Sequence, residues 1–94
     1  MKLVWHPLAM ADRECIMNFI AREKPLAALA LDESFEAHAD RIEANPHLYR
    51  PGRLAGTREA VVHPNYVMVY RIEGETITLL RVLHAARRWP SAEG

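Results

Sequence analysis

The chain has 94 residues, half of them apolar and 26% charged, with twelve cations balancing twelve carboxylates. That is one domain, 1–94, of ordinary globular composition, which excludes a disordered tail, a collagen-like repeat and a coiled coil. No apolar run approaches the ~20 residues that cross a bilayer, and the opening MKLVWHP lacks the apolar stretch of a signal peptide, so the expected location is the cytoplasm. Cys15 is the single cysteine. It can close no internal disulfide and cannot build a zinc site alone. A core this small gains from a stabilising partner.

Lys2 to Trp5 reads as a short strand stopped by Pro7. From Pro7 the pattern turns helical. Leu8, Ala11, Cys15 and Phe19 follow 3- and 4-residue steps, with Ile16 and Ile20 beside them, and this stripe predicts a core-facing side that includes Cys15. Asp12, Glu14 and Arg22 fall off it. Pro7 suits a first helical position, and the helix is expected to end near Glu23, ahead of Lys24-Pro25. A second helix starts at Pro25 or Leu26, carries the stripe Ala28, Leu31, Phe35, Ala39 and Ile42, and stops at Asn45-Pro46. The short join predicts an antiparallel helical hairpin. Residues 45–57, with two prolines and two glycines, read as loop.

Three strand-like runs follow: Arg58–His63, Tyr66–Ile72 and Thr76–His84. Pro64-Asn65 and Glu73-Gly74-Glu75 separate them as turns, so the runs pair antiparallel. The order β-α-α-β-β-β predicts an α+β domain, an antiparallel meander packed against a helical hairpin. Strict alternation in the last run sets Thr76, Thr78, Leu80, Val82 and His84 on one side, and Ile77, Leu79, Arg81 and Leu83 on the other.

The charge is unevenly spread. Residues 1–49 hold five cations against eight carboxylates, whereas 50–94 hold seven arginines against four glutamates and no lysine. Arginine suits bidentate contact with phosphate or carboxylate, so an anionic partner is expected to meet the second half. Arg81 interrupts an apolar strand, either as an anion contact or paired with Glu59 at the sheet edge. His84 opens the segment HAARRWP, where Arg87, Arg88 and the flat ring of Trp89 follow. Such a set suits phosphodiester binding or acid–base work; Trp89 serves equally as an anchor for that segment. Gly52 and Gly56 precede no P-loop lysine. His63 sits in a turn and is expected to be exposed, and His6, His38 and His47 lie on different elements without metal-ligand spacing to Cys15. No metal or cofactor is expected.

Three segments carry a family resemblance. LVWHPLAMADRECIMNFIAREKPLAA (Leu3–Ala28), PGRLAGTREAVVHPNYVMVYRI (Pro51–Ile72) and ITLLRVLHAARRWP (Ile77–Pro90) resemble, in order, the opening strand and helix, the core and the closing strand of the RelE/ParE toxin superfamily. The resemblance implies the toxin of a bacterial type II toxin–antitoxin (plasmid stabilisation) module, bound in a hetero-oligomer by a cognate antitoxin. It also implies one of two targets. ParE-type toxins act on DNA gyrase; RelE-type toxins cut mRNA on the ribosome. The expected target- or antitoxin-binding set is Arg53, Arg58, Arg81, Arg87, Arg88 and Trp89. A nuclease would use His84, Arg58, Arg81 and Arg87. His84 is similar to a closing-strand histidine of the YafQ branch, but Val61 and Asn65 stand where that branch carries a histidine and an aspartate. The long P-G-R…H-P-N-Y stretch most resembles ParE, which makes gyrase the expected target.

Overall fold

The structure is a computed structural model that describes residues 1–86. Its elements are β1 (Lys2–Trp5), α1 (Pro7–Ala21), α2 (Pro25–Ala44), β2 (Arg50–Pro51), β3 (Arg58–His63), β4 (Tyr66–Glu73) and β5 (Thr76–His84). The α+β class and the helical hairpin stand as expected, and the strand runs agree closely. Two additions follow from hydrogen bonding. Arg50–Pro51, inside the expected loop, pairs with Glu59 and Arg58 as a two-residue edge strand. β1 inserts beside β5 in parallel, so the five-stranded sheet β1-β5-β4-β3-β2 is mixed.

Local chemistry sets the helix starts. The His6 imidazole Nδ1 accepts the Leu8 N–H at 3.0 Å and caps α1, and Pro7 occupies its first turn. On α2 the expected stripe is the buried one: Ala28, Leu31, Phe35, Ala39 and Ile42 all face the core. Leu31, Phe35, Ala39 and Ile42 join Ala60, Met68, Tyr70, Ile77, Leu79 and Val82 of the sheet in one core.

The stripe expected on α1 is corrected. Cys15 is exposed, and Leu8 and Phe19 keep 53% and 70% of their surface. The inward side holds Ala9, Ile16, Met17 and Ile20 instead. α1 carries apolar residues around most of its girth, so periodicity alone picks no single face.

Alternation along β5 also fails, at a bulge. Val69 pairs with Arg81 but Tyr70 pairs with Leu79, leaving Leu80 as the extra residue. Ile77, Leu79 and Val82 therefore share the core, while Leu83 joins Val67 and Val69 on the opposite face. At the same place β1 ends: His6 N–H donates to the Leu79 carbonyl, and the chain turns into α1. Asp12 of α1 takes over the vacated edge. Its carboxylate accepts the Val82 N–H at 3.0 Å and a bidentate pair from Arg81 at 2.7 and 2.9 Å. Arg81 thus pairs with Asp12, not with Glu59.

Asp12→Ala is expected to cost about 2 kcal/mol, because it removes the bidentate pair to Arg81 and leaves the Val82 N–H without its acceptor. Phe19→Ala, at an exposed position, is expected to stay within about 0.5 kcal/mol of wild type. Urea unfolding with unchanged slope distinguishes the two.

Candidate functional site

The loop after α2 is stitched down from two sides. On the core side, the Tyr70 hydroxyl donates to the Pro46 carbonyl. Its strand neighbour Arg58 donates to the carbonyls of Tyr49 at 2.7 Å and His47 at 3.4 Å. Arg58, expected in the target-binding set, thus spends part of its guanidinium on backbone. On the opposite face Glu59 is buried, its side chain 1% exposed. It accepts the Arg53 N–H at 2.9 Å and lies 3.5 Å from the guanidinium groups of both Arg50 and Arg53. The loop backbone packs so closely here that a Cβ at Gly52 would sit 2.3 Å from Thr57 Oγ1. Gly56 turns with φ +82°, a conformation that favours glycine. The P-G-R…G-T-R-E stretch is therefore a closed, braced loop. Sequence reasoning missed Glu59 as its hub; the signal was a glutamate alternating into an otherwise apolar strand.

Between Arg50 and the far end of that face lie Val61, Val67, Val69 and Leu83. The last three form their own small buried cluster, and Val61 is half exposed. The charged groups beside this stretch are Glu59 and Arg81, which pair in register with Val69 on either side, and Arg71, two places beyond Val69 on β4.

His84 closes β5, exposed. Its Nδ1 accepts the Ala86 N–H at 3.1 Å, and its ring lies edge-on to Tyr66 at 5.4 Å. On the other side of Tyr66 stands His63, at 5.8 Å. The sequence set thus scatters: Arg58 braces the loop, Arg81 pairs with Asp12, Arg53 sits at Glu59, and His84 is at the sheet end. Arg87, Arg88 and Trp89 lie outside the described residues.

The helical hairpin carries a feature the sequence did not announce, an open groove of about 1060 Å³ between α1 and α2. Met10, Met17 and Leu29 supply apolar lining, and Glu14, Asp32 and Glu36 line it too. Arg13 bridges the helices: it donates to Asp32 at 2.7 Å and Glu36 at 2.6 Å, and its guanidinium rests 4.9 Å over the Trp5 ring. The Arg13 hydrogen bond holds the Asp32 carboxyl below its ordinary range, and the same bond raises Arg13 against the opposing effect of burial. With Arg13 among three carboxylates, the groove is net negative.

Burial pushes the Tyr70 phenol up from 10.0 to about 12, with Arg58 pulling weakly the other way. A phenol whose folded value is raised stabilises fully below its unfolded value, and that contribution is lost as pH rises from 10 towards 12. Wild type is expected to lose about 2 kcal/mol more than Tyr70→Phe across that window. Urea midpoints at stepped alkaline pH measure the difference, and Tyr70→Phe starts lower because the Pro46 contact is gone.

The chain matches the model of the ParE toxin of the type II toxin–antitoxin system parDE over residues 3–89. It is 35% identical over 88 residues to toxin RelE2 of Caulobacter vibrioides, covering 92% of this chain and 97% of that protein. Among solved structures it is similar to the chromosomal ParDE system of P. aeruginosa, with a TM-score of 0.80 and 24% identity, over 89% of this chain and 95% of that one. A YoeB/ParE toxin from Agrobacterium tumefaciens shares the fold at TM-score 0.66 and 20% identity, over 89% and 98% of the two chains.

Proposed function

Because the chain belongs to the ParE toxin family of type II toxin–antitoxin systems, we propose that it is a ParE-like poison of DNA gyrase, kept silent by a cognate antitoxin. The observation that carries the choice of target is the sheet face opposite the helices. Metal-free RNA cleavage needs a base, an acid and a cation around one phosphate. On that face Val61, Val67, Val69 and Leu83 are apolar, and the acid beside them, Glu59, is buried and held by Arg50 and Arg53. Two cations of the expected nuclease set are also committed to the fold, Arg81 to Asp12 and Arg58 to backbone carbonyls. A protein that disables a large enzyme by contact needs no such set.

The antitoxin reading has its own support. Leu8, Met10, Phe19, Leu26 and Leu29, all on the two helices, keep more than half of their surface. Of these, Met10 and Leu29 line the groove, and exposed apolar side chains along a groove mark a surface that another chain covers. The groove takes an amphipathic helix of the antitoxin. Its acidic lining calls for lysine or arginine beside the apolar anchors of that helix, whereas the arginine-rich second half calls for an acidic segment.

Induction without the antitoxin is expected to stop growth, trigger the SOS response and trap cleaved gyrase–DNA complexes. Codon-phased cuts in mRNA without those complexes would overturn the gyrase assignment. Co-expression of the neighbouring small gene is expected to restore growth. Leu29→Glu places a charge in the groove at an exposed site, so the fold survives and antitoxin affinity falls about tenfold or more; calorimetric titration reads it.

A further inference from the structure

A second pocket, of about 420 Å³, opens beside the braced loop and shares no residue with the groove between the helices. His47, Pro51, Gly56, Thr57, Arg58 and Ile72 line it. The fold fixes its walls. Thr57 is buried, and its hydroxyl donates to the Leu54 carbonyl at 2.6 Å. Pro51 and Arg58 pair in register across β2 and β3. Ile72 is half-buried and packs against the main core. Walls held in this way are in place before any ligand arrives.

Arg58 brings a positive charge to this pocket, and no carboxylate lines it. Nη1 alone makes both of the guanidinium's bonds, to the carbonyls of Tyr49 and His47. Among the described residues Nε and Nη2 have no acceptor, and Arg58 has no ion pair. Arg13, Arg50, Arg53 and Arg81, by contrast, each have a carboxylate partner. Carbonyls satisfy donors but leave a half-buried charge uncompensated. Nε and Nη2 form one edge of the planar fork, and that edge matches the two oxygens of a carboxylate. One guanidinium suits a monoanion better than a phosphate dianion. Pro51 and Ile72 add apolar wall beside it. The volume lies at the small end of ligand pockets, so the pocket admits a chain end and not a helix.

We propose that this pocket captures the free C-terminus of a partner protein. Its α-carboxylate sits on Arg58 Nε and Nη2, and its last side chain, an apolar one, lies against Pro51 and Ile72. Capture of a terminal carboxylate is a recurring mode of peptide recognition. At a chain end the charge and an apolar side chain share one residue, which is the pairing this pocket offers. A glutamate or aspartate carries its carboxylate at the tip of the side chain, with no apolar group beside it. The proposal is independent of the gyrase reading and of the groove between the helices.

The test follows the Arg58 Nε–H signal of the full chain by NMR while acetyl-alanyl-leucine is added as the free acid. The same dipeptide as its amide, a glutamate capped at both ends, and inorganic phosphate are added in parallel. The free acid is expected to move the Arg58 signal, and the amide to leave it in place. Capped glutamate and phosphate are expected to bind more weakly than the free acid. Arg58→Lys keeps the charge but loses the fork, so affinity for the free acid is expected to fall about tenfold; the same variant assigns the signal. The deciding comparisons use the unaltered chain, so no variant's folding enters them. An unmoved signal with the free acid, or an equal response to the amide, would overturn the carboxylate site. Binding of capped glutamate or phosphate as tight as the free acid would overturn the chain-end assignment. Growth arrest and gyrase–DNA complexes are read in cells and bear on none of these outcomes.

Discussion

One carboxylate joins the two halves of the molecule. β1 runs out at Trp5 while β5 continues to His84, which leaves an unfinished sheet edge directly under α1. An open edge exposes backbone donors and invites wrong pairing. Asp12 closes it by accepting one backbone N–H and clamping the arginine that the bulge at Leu80 swings outward. This ties α1 to the last strand, and α1 in turn is tied to α2 through Arg13, Asp32 and Glu36. These two ion-pair clusters add to the apolar core in orienting the hairpin on the sheet, and with it the groove.

The clusters also divide the surface by sign. The acidic first half is not simply a wet exterior: Asp32 and Glu36 line the groove, and Arg13 sits among them on the face of Trp5. The basic second half is likewise partly internal. Arg58 holds the loop by its carbonyls, and Arg81 belongs to Asp12. Net charge by segment therefore overstates what either half offers a partner. A segment that covers both halves has to change character along its length, apolar and cationic over the helices and acidic towards the loop at Arg50 and Arg53.

Much of this was legible in the sequence, for definite reasons. The α2 stripe and three strand runs are long, periodic and bounded by proline, glycine or asparagine, and each agrees with the structure. α1 was misread because Leu8, Cys15 and Phe19 mimic a core stripe as well as Ile16 and Ile20 do. Its inward side is chosen by Asp12 reaching β5, a contact sixty-nine positions away in the chain. The bulge at Leu80 defeated alternation in β5, since one extra residue reverses every side chain beyond it. Of the expected site residues that the structure describes, His84 is exposed at the sheet end, and its neighbours His63 and Tyr66 become visible only when the strands are in register. Glu59 and Arg58 advertise chemistry in a linear reading, yet Glu59 is a brace and Arg58 is one through Nη1.

The parallel pairing of β1 with β5 has a consequence for how the protein comes into being. Lys2 meets Thr76 and Trp5 meets Leu79, so the first strand to leave the ribosome waits for the last described one before it has a neighbour. Contacts of such separation form late, and a chain still being synthesised holds α1 without its Asp12 anchor and the sheet without its final edge. The hairpin's exposed leucines and methionines are then the first sizeable sticky surface to emerge. A partner that binds that surface can engage the toxin before the sheet is closed, so inhibition can begin during translation and need not await a finished, harmful molecule.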